Sequence, residues 1–266
     1  MKRTFVVGDI HGADKALLQV LDKSSFDYEN DTLISLGDIC DGWSGVKETI
    51  EILMKVKNLV LIKGNHDAWY LKFLDQNKLI MESNARSEKS LTLDIVNKYD
   101  DGYSSWLSQG GQATLESLGM VETIYSEFLR KGKLIHIDKD NNFFCHAGGW
   151  LCDDIEDLDY VYDYFPFTRQ SLEYKFIWDR SDIKNQISYP KKISKYNNIY
   201  VGHTPVLSIM GYQSHRTPLV LENVIMMDTG AAFTGVVSMR DINTGENFTS
   251  DVVTELYPNE TGRNRK

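Results

Sequence analysis

Three short polar motifs near the N-terminus bring together side chains that hold divalent cations. Gly8-Asp9-Ile10-His11-Gly12 sets a carboxylate and an imidazole two residues apart, close enough to grip one cation from a single loop, with glycines that permit tight turns. Gly37-Asp38-Ile39-Cys40-Asp41 adds two carboxylates, and Gly64-Asn65-His66-Asp67 adds an amide, an imidazole and a carboxylate. His146 and His203, far downstream, extend this set of nitrogen and oxygen donors. Each motif alone is ordinary turn chemistry; their joint presence is the signal. A pair of cations held by such donors activates water and neutralises anionic substrates.

The segments before these motifs are those that would place them side by side. Thr4 to Val7 is a β-rich run ending at Gly8-Asp9, followed by Ala16, Leu17, Val20 and Leu21 at helical spacing. Thr32 to Leu36 ends at Gly37-Asp38 and precedes Val46, Ile50 and Leu53 on one helical face; Leu59 to Ile62 leads into Gly64-Asn65. Strands separated by helices predict βαβ units and a largely parallel sheet, whose ligands bind at the carboxyl ends of the strands. All three motifs fall there. His146 follows a strand over Asn142 to Cys145, and His203 one over Asn198 to Val201. Two further runs, Val224 to Met227 and Gly235 to Met239, flank Asp228-Thr229-Gly230 and are expected to pair as neighbours. Ala68 to Lys131 reads as a helical insertion or cap, with Asp67 capping a helix from Ala68. The whole is one domain over 1–258 with a polar tail, 259–266, expected to fray.

Composition narrows the partners. The 266 residues carry 38 acidic and 29 basic side chains, a net charge of −9. No broad basic surface is available for an extended nucleic acid, whereas a small phosphorylated substrate is drawn by bound cations whatever the global balance. The N-terminal apolar run is too short for a signal peptide, and no run reaches membrane-spanning length, so no membrane association is expected. Three cysteines, Cys40, Cys145 and Cys152, make no disulfide framework and fit a cytoplasmic protein. Cys40 and Cys145 read as small buried hydrophobes. His136 and His215 belong to no motif.

In this order, GDxHG, GDxxD, GNH[DE], His and GH resemble the calcineurin-like metallophosphoesterase superfamily. The likeness is greatest to its phosphoprotein-phosphatase branch, of the bacterial and lambda-phage type. Trp106-Leu107-Ser108-Gln109-Gly110-Gly111 is similar to that branch's WLxNGG, with Gln109 for Asn; Phe176-Ile177-Trp178-Asp179-Arg180, Gly202-His203-Thr204-Pro205 and Asp228-Thr229-Gly230-Ala231 are similar to its IWxR, GHTP and DTGA segments. The resemblance implies an α/β fold, an αββα sandwich of mixed β-sheets flanked by helices. It implies two divalent ions, Mn²⁺ first with Fe or Zn compatible: Asp9 and His11 on one, Asp38 bridging, and Asn65, His146 and His203 on the other. It further implies His66 as general acid, Asp41 as its orienting carboxylate and Arg180 as a phosphate clamp.

The reaction so implied is hydrolysis of a phosphate monoester by in-line attack of metal-activated water, on a phosphoprotein of the phosphoserine or phosphothreonine kind, a nucleotide or a small phosphoester. The symmetrical bis(nucleosyl)tetraphosphatases share GDxHG, GNHD, His-Ala-Gly and DTG, which makes dinucleoside polyphosphate hydrolysis the alternative. A non-catalytic scaffold would be expected to have lost ligands or the catalytic histidine, and all are retained. The lone Asp228-Thr229-Gly230 lacks the second facing carboxylate an aspartic protease needs. One departure stands out: related phosphatases read GDxxDRG, and here Gly42 and Trp43 occupy the last two places. The phosphate-binding arginine of the family is absent at this position, and Trp43 is either packing or a stacking surface for a substrate ring.

Overall fold

The computed structural model describes residues 2–84, 103–152 and 172–264. Strands β1 (Thr4–Val7), β2 (Thr32–Ser35) and β3 (Asn58–Leu61) pair in parallel, Thr4 opposite Thr32 and Thr32 opposite Asn58. Helices α1 (Asp14–Lys23) and α2 (Val46–Met54) connect them and bury the apolar faces legible in the sequence, including Leu17, Val20, Ile50 and Leu53. Two C-terminal strands complete this sheet on the other side of β1: β9 (Ser238–Asp241) runs antiparallel to β1, and β10 (Asn247–Thr249) antiparallel to β9. The order is β10-β9-β1-β2-β3.

A second five-stranded sheet has the order β4-β5-β6-β8-β7, from β4 (Ile135–Ile137), β5 (Phe143–Cys145), β6 (Ile199–Val201), β7 (Leu219–Leu221) and β8 (Val224–Met226). Its inner strands β5, β6 and β8 are parallel, its outer ones antiparallel. The two sheets face each other across Val6, Ile34, Leu36, Ile62, Phe144, Tyr200, Ile225 and Met227. Strands covered on both faces read as continuous apolar runs, as here for Phe5, Val6 and Val7, all fully buried. With helices on the outer faces, this is the αββα sandwich of mixed sheets expected from the sequence.

The described part of 68–131 is helical: α3 (Asn65–Asn84), α4 (Tyr103–Trp106), a widened turn at Leu107–Gly111, α5 (Gln112–Leu118) and α6 (Ile124–Arg130). Residues 85–102 of that segment lie outside the described residues. Helix α3 starts at Asn65, three residues before the expected Ala68, so Asn65 and His66 stand on its first turn. Asp67 does cap it, by reaching back to the N–H of Gly64 (3.0 Å). Its other oxygen accepts the N–H groups of Ile39 and Cys40 at 2.9 and 3.0 Å, tying the helix start to the loop after β2.

Two expectations are corrected. The runs around Asp228 do not pair: β8 lies between β6 and β7 in the second sheet, while β9 crosses to the first and lies on β1. Both are apolar enough for a central strand, and alternation says nothing about which neighbour a strand takes. The tail does not fray as far as Asn264. Glu260 accepts from the N–H and hydroxyl of Ser44, the Arg263 N–H donates to the Ala232 carbonyl, and Asn264 donates to the Phe233 carbonyl. No helix among the described residues is long and apolar enough to cross a membrane.

Candidate metal centre and active site

The carboxyl ends of β1, β2, β3, β5 and β6 converge on one buried place. Asp9 and His11 follow β1, Asp38 and Asp41 follow β2, Asn65 and His66 follow β3, His146 follows β5 and His203 follows β6. Turning the chain so sharply at strand ends puts four non-glycine residues in the left-handed region: His11 (φ 53°), Asp38 (48°), Asp41 (71°) and His203 (63°). Each costs about 1–3 kcal/mol and is held by surrounding bonds; His11 N–H donates to the Asp38 carbonyl at 2.8 Å and Gly12 N–H to that of Ile39 at 2.8 Å. Gly64 is required for the approach, since a Cβ there would lie 2.1 Å from Asp38 Oδ1.

Two groups of donors result, Asp9, His11 and Asp38, and Asp38, His146 and His203; within each, one ligand atom per residue lies within 4.8 Å of the others. Asp38 belongs to both. His146 Nε2 is 3.3 Å from Asp38 Oδ2 and 3.0 Å from Asn65 Oδ1, and His11 Nε2 is 3.5 Å from Asp38 Oδ2. The opposite ring nitrogens are tied to backbone: His11 Nδ1 to the Cys40 carbonyl (3.0 Å), His146 Nδ1 to that of Leu36 (2.8 Å), and His203 Nε2 to that of Trp178 (3.1 Å). Such anchoring fixes the ring and leaves its other nitrogen for a metal. Asp9 is aligned by the His203 N–H, 3.1 Å from both its oxygens.

The electrostatics are those of a cluster built for cations. Burial, then the neighbouring Asp228, pushes Asp9 well above the usual carboxylate range. Burial alone would raise Asp38 too, but the surrounding His146, His66 and His11 hold it well below. Burial works against a charged His146, yet the Asp38 carboxylate outweighs it and lifts the imidazole to about 9. His11 and His203 are driven neutral, chiefly by burial. Asp228, its Oδ1 bonded to the Gly230 N–H at 2.9 Å, is pushed up to about 6, first by burial. Buried acids clustered this closely with imidazoles form an all-nitrogen-and-oxygen donor set, which fits divalent transition metals.

Beside the donors, His66 Nδ1 lies 2.5 Å from Asp41 Oδ2, both side chains buried. Trp106 Nε1–H donates to the same oxygen at 2.8 Å, and the Thr114 hydroxyl to Asp41 Oδ1 at 2.6 Å, while accepting the Asp41 N–H. Desolvation moves the partners apart, His66 down to about 3 and Asp41 up to about 8. Both shifts favour the uncharged forms, an imidazole and a carboxyl group with one proton between Nδ1 and Oδ2. Arg180, where helix α7 (Ser181–Ser188) starts, donates from Nη2 to the His203 carbonyl at 3.1 Å, and burial lowers it below the usual arginine range against the pull of Asp228, Asp38 and Asp9.

All nine residues singled out in the sequence thus meet at this place: the six candidate ligands, the His66 and Asp41 pair, and Arg180 at the rim. Cys40 and Cys145 are fully buried, with thiols raised by burial, and belong to neither donor group. His136 lies half-buried against Phe144, and His215 bonds to Thr217, both outside the cluster. Trp43 is packing and no stacking surface: it is fully buried against Tyr257, and its Nε1–H donates to the Ala231 carbonyl at 2.7 Å. Nothing local in the sequence marks Thr114, whereas Trp106 lies in the WLSQGG segment that pointed to the site.

A family model for calcineurin-like phosphoesterases matches residues 2–232. The serine/threonine-protein phosphatase 1 of Salmonella typhimurium is 22% identical over 247 residues, covering 91% of this chain and 92% of the relative. A symmetrical bis(5'-nucleosyl)-tetraphosphatase of Pseudomonas entomophila is also 22% identical, with 96% of each chain covered. Among solved structures, a metallophosphoesterase from Sphaerobacter thermophilus superposes with a TM-score of 0.52 over 94% of this chain and 87% of its own, at 14% identity.

Proposed function

Because this chain belongs to the calcineurin-like phosphoesterases, a family of metal-dependent hydrolases acting on phosphoester bonds, we propose that it hydrolyses phosphate monoesters at two divalent ions, probed first with Mn²⁺, with phosphoserine or phosphothreonine in proteins as the leading substrate class. The observation that carries this reading is Asp38, shared by two donor groups, with the His66 and Asp41 pair beside them. Asp9 and His11 would hold one ion, Asn65, His146 and His203 the other, and Asp38 both. Two such ions would supply an activated water and charge neutralisation for in-line displacement.

The chain's own groups do the rest. His66, with Nδ1 engaged by Asp41, presents Nε2–H to the departing oxygen. As that proton leaves, the proton shared with Asp41 moves fully to Nδ1, so the imidazole ends neutral and Asp41 ends as a carboxylate. Trp106 and Thr114 stabilise that carboxylate by donating to its two oxygens. Arg180 orients phosphoryl oxygens with the N–H groups that His203 does not use. Free Cys40, Cys145 and Cys152 are in keeping with a cytoplasmic setting.

A second reading has its own support: the tetraphosphatase relative aligns along nearly the whole chain, and Gly64-Asn65-His66-Asp67 and His146-Ala147-Gly148 are written as in that family. A panel with Mn²⁺ separates the two: a phosphopeptide, an aryl phosphate, an aryl phosphodiester and diadenosine tetraphosphate. Highest kcat/KM on the phosphopeptide or aryl phosphate is expected. Preference for diadenosine tetraphosphate replaces the first reading with the second, and inertness towards all four removes both.

A further inference from the structure

We propose that Arg263, carried into the site by the C-terminal tail, binds a phosphoryl oxygen of the substrate and takes the place of the arginine that Gly42 lacks. The proposal rests on the phosphoesterase reading above.

Arg263 stands directly over the loop that holds Asp41. A Cβ built on Gly42 (φ 105°) would lie 3.3 Å from His11 Cβ and 3.6 Å from Arg263 Cγ, so Gly42 is sandwiched between a candidate ligand and this side chain. A side chain at position 42 would compete with Arg263 for the same space. The guanidinium makes one hydrogen bond among the described residues, from Nη2 to Gln109 Oε1 at 2.8 Å. Its Nε is buried without a partner, and no carboxylate among the described residues forms an ion pair with it. A partly desolvated cation with unused, forked donors beside a phosphate-handling site is matched by an oxyanion.

The departures from the family pattern converge on this one residue. Gly42 leaves the volume. Trp43 stacks on Tyr257 with ring centroids 5.0 Å apart, and a Cβ on Gly262 would lie 2.6 Å from the Trp43 ring, so the tail follows the indole face. Gln109, where the related segment has Asn, is the acceptor that fixes the guanidinium. Ser44 and Glu260, and the Arg263 N–H on the Ala232 carbonyl, hold the tail in register.

Inorganic phosphate is the probe, titrated calorimetrically into the full-length protein loaded with Mn²⁺. R263A is expected to weaken phosphate binding about 10- to 100-fold, the range for losing a hydrogen bond to a charged group, with Mn²⁺ stoichiometry and melting temperature unchanged. Guanidinium chloride at low millimolar concentration is expected to restore part of the affinity in R263A and none in the wild type. R263M, which keeps most of the stem and drops the guanidinium that lies 5.2 Å over the Phe233 ring, repeats the test where R263A melts early. Phosphate affinity within twofold of wild type in a folded variant overturns the proposal, as does a loss that comes only with lost Mn²⁺ binding. Wild-type protein that binds Mn²⁺ and phosphate but hydrolyses nothing in the panel ends the hydrolase reading, while the R263A affinity still decides the role of Arg263.

Discussion

The two ends of the first sheet, built from the same strands, are organised on opposite principles. At the amino ends of β1 and β2, the buried Asp31 carboxylate accepts from the Arg3 guanidinium (2.6 Å), the Arg3 N–H (3.1 Å) and the Asp27 N–H (3.0 Å). Arg3 also donates to the Ser24 carbonyl, and the Asn58 amide reaches the carbonyls of Glu29, Asn30 and Asp31. Burial would raise Asp31, but these partners hold it below the usual carboxylate range. At the carboxyl ends, Asp9 is driven the other way, Asp38 depends on three imidazoles, and three residues, His11, Asp38 and Asp41, sit in a left-handed backbone. One end is satisfied by the chain itself; the other is arranged around charges that cations complete. Ion pairs closed within the chain stabilise the fold, whereas buried acids left for a ligand are tolerated for chemistry.

If that contrast is right, substitutions at the carboxyl end remove function, and the largest effect belongs to the donor that both groups share. D38N is expected to bring turnover to background and to prevent the second Mn²⁺ from binding; two bound ions with appreciable turnover would break the assignment of Asp38. H66N comes next, with turnover lower by about 10²–10⁴-fold while Mn²⁺ titrations match the wild type. An unchanged rate would strip His66 of its proton-donating role and leave the Asp41, Trp106 and Thr114 arrangement as packing.

The same contrast accounts for what could be read from the sequence. Asp9, His11, Asp38 and Asn65 were legible because a strand run, a Gly-Asp or Gly-Asn turn and a helix lie within a few residues of one another, and the parallel register then aligns the turns without further information. The supports come from a distance. Thr114 reaches Asp41 across 73 residues and Arg263 reaches Gln109 across 154, and no periodicity encodes such meetings. Strands β7 and β10 are half-exposed edge strands that lack the buried apolar runs of the equally short β5, β6 and β8. Gly42 and Trp43 were visible as departures, but that they made way and platform for a tail arginine required the packing of Gly262 and Tyr257 to be seen.

The smallest effect tests the amino end, where stability and no chemistry is at stake. D31N keeps the shape of the side chain and removes the charge that Arg3 and two backbone N–H groups serve, at a cost on the order of 1–3 kcal/mol near neutral pH. Because the native carboxylate titrates below its ordinary value, its contribution is complete above the unfolded-state pKa of about 3.9 and is lost as pH falls through the native one. The stability gap between wild type and D31N, from urea unfolding, is therefore expected to be constant from neutral pH to about pH 5, to narrow below about pH 4 and to close once native Asp31 is protonated. Turnover at saturating substrate stays that of the wild type, because Asp31 stands at the end of the strands away from the donors. A gap that persists in acid would mean that the aspartate acts by shape and not by charge, and a fall in turnover would mean that the two ends are coupled through β1 and β2.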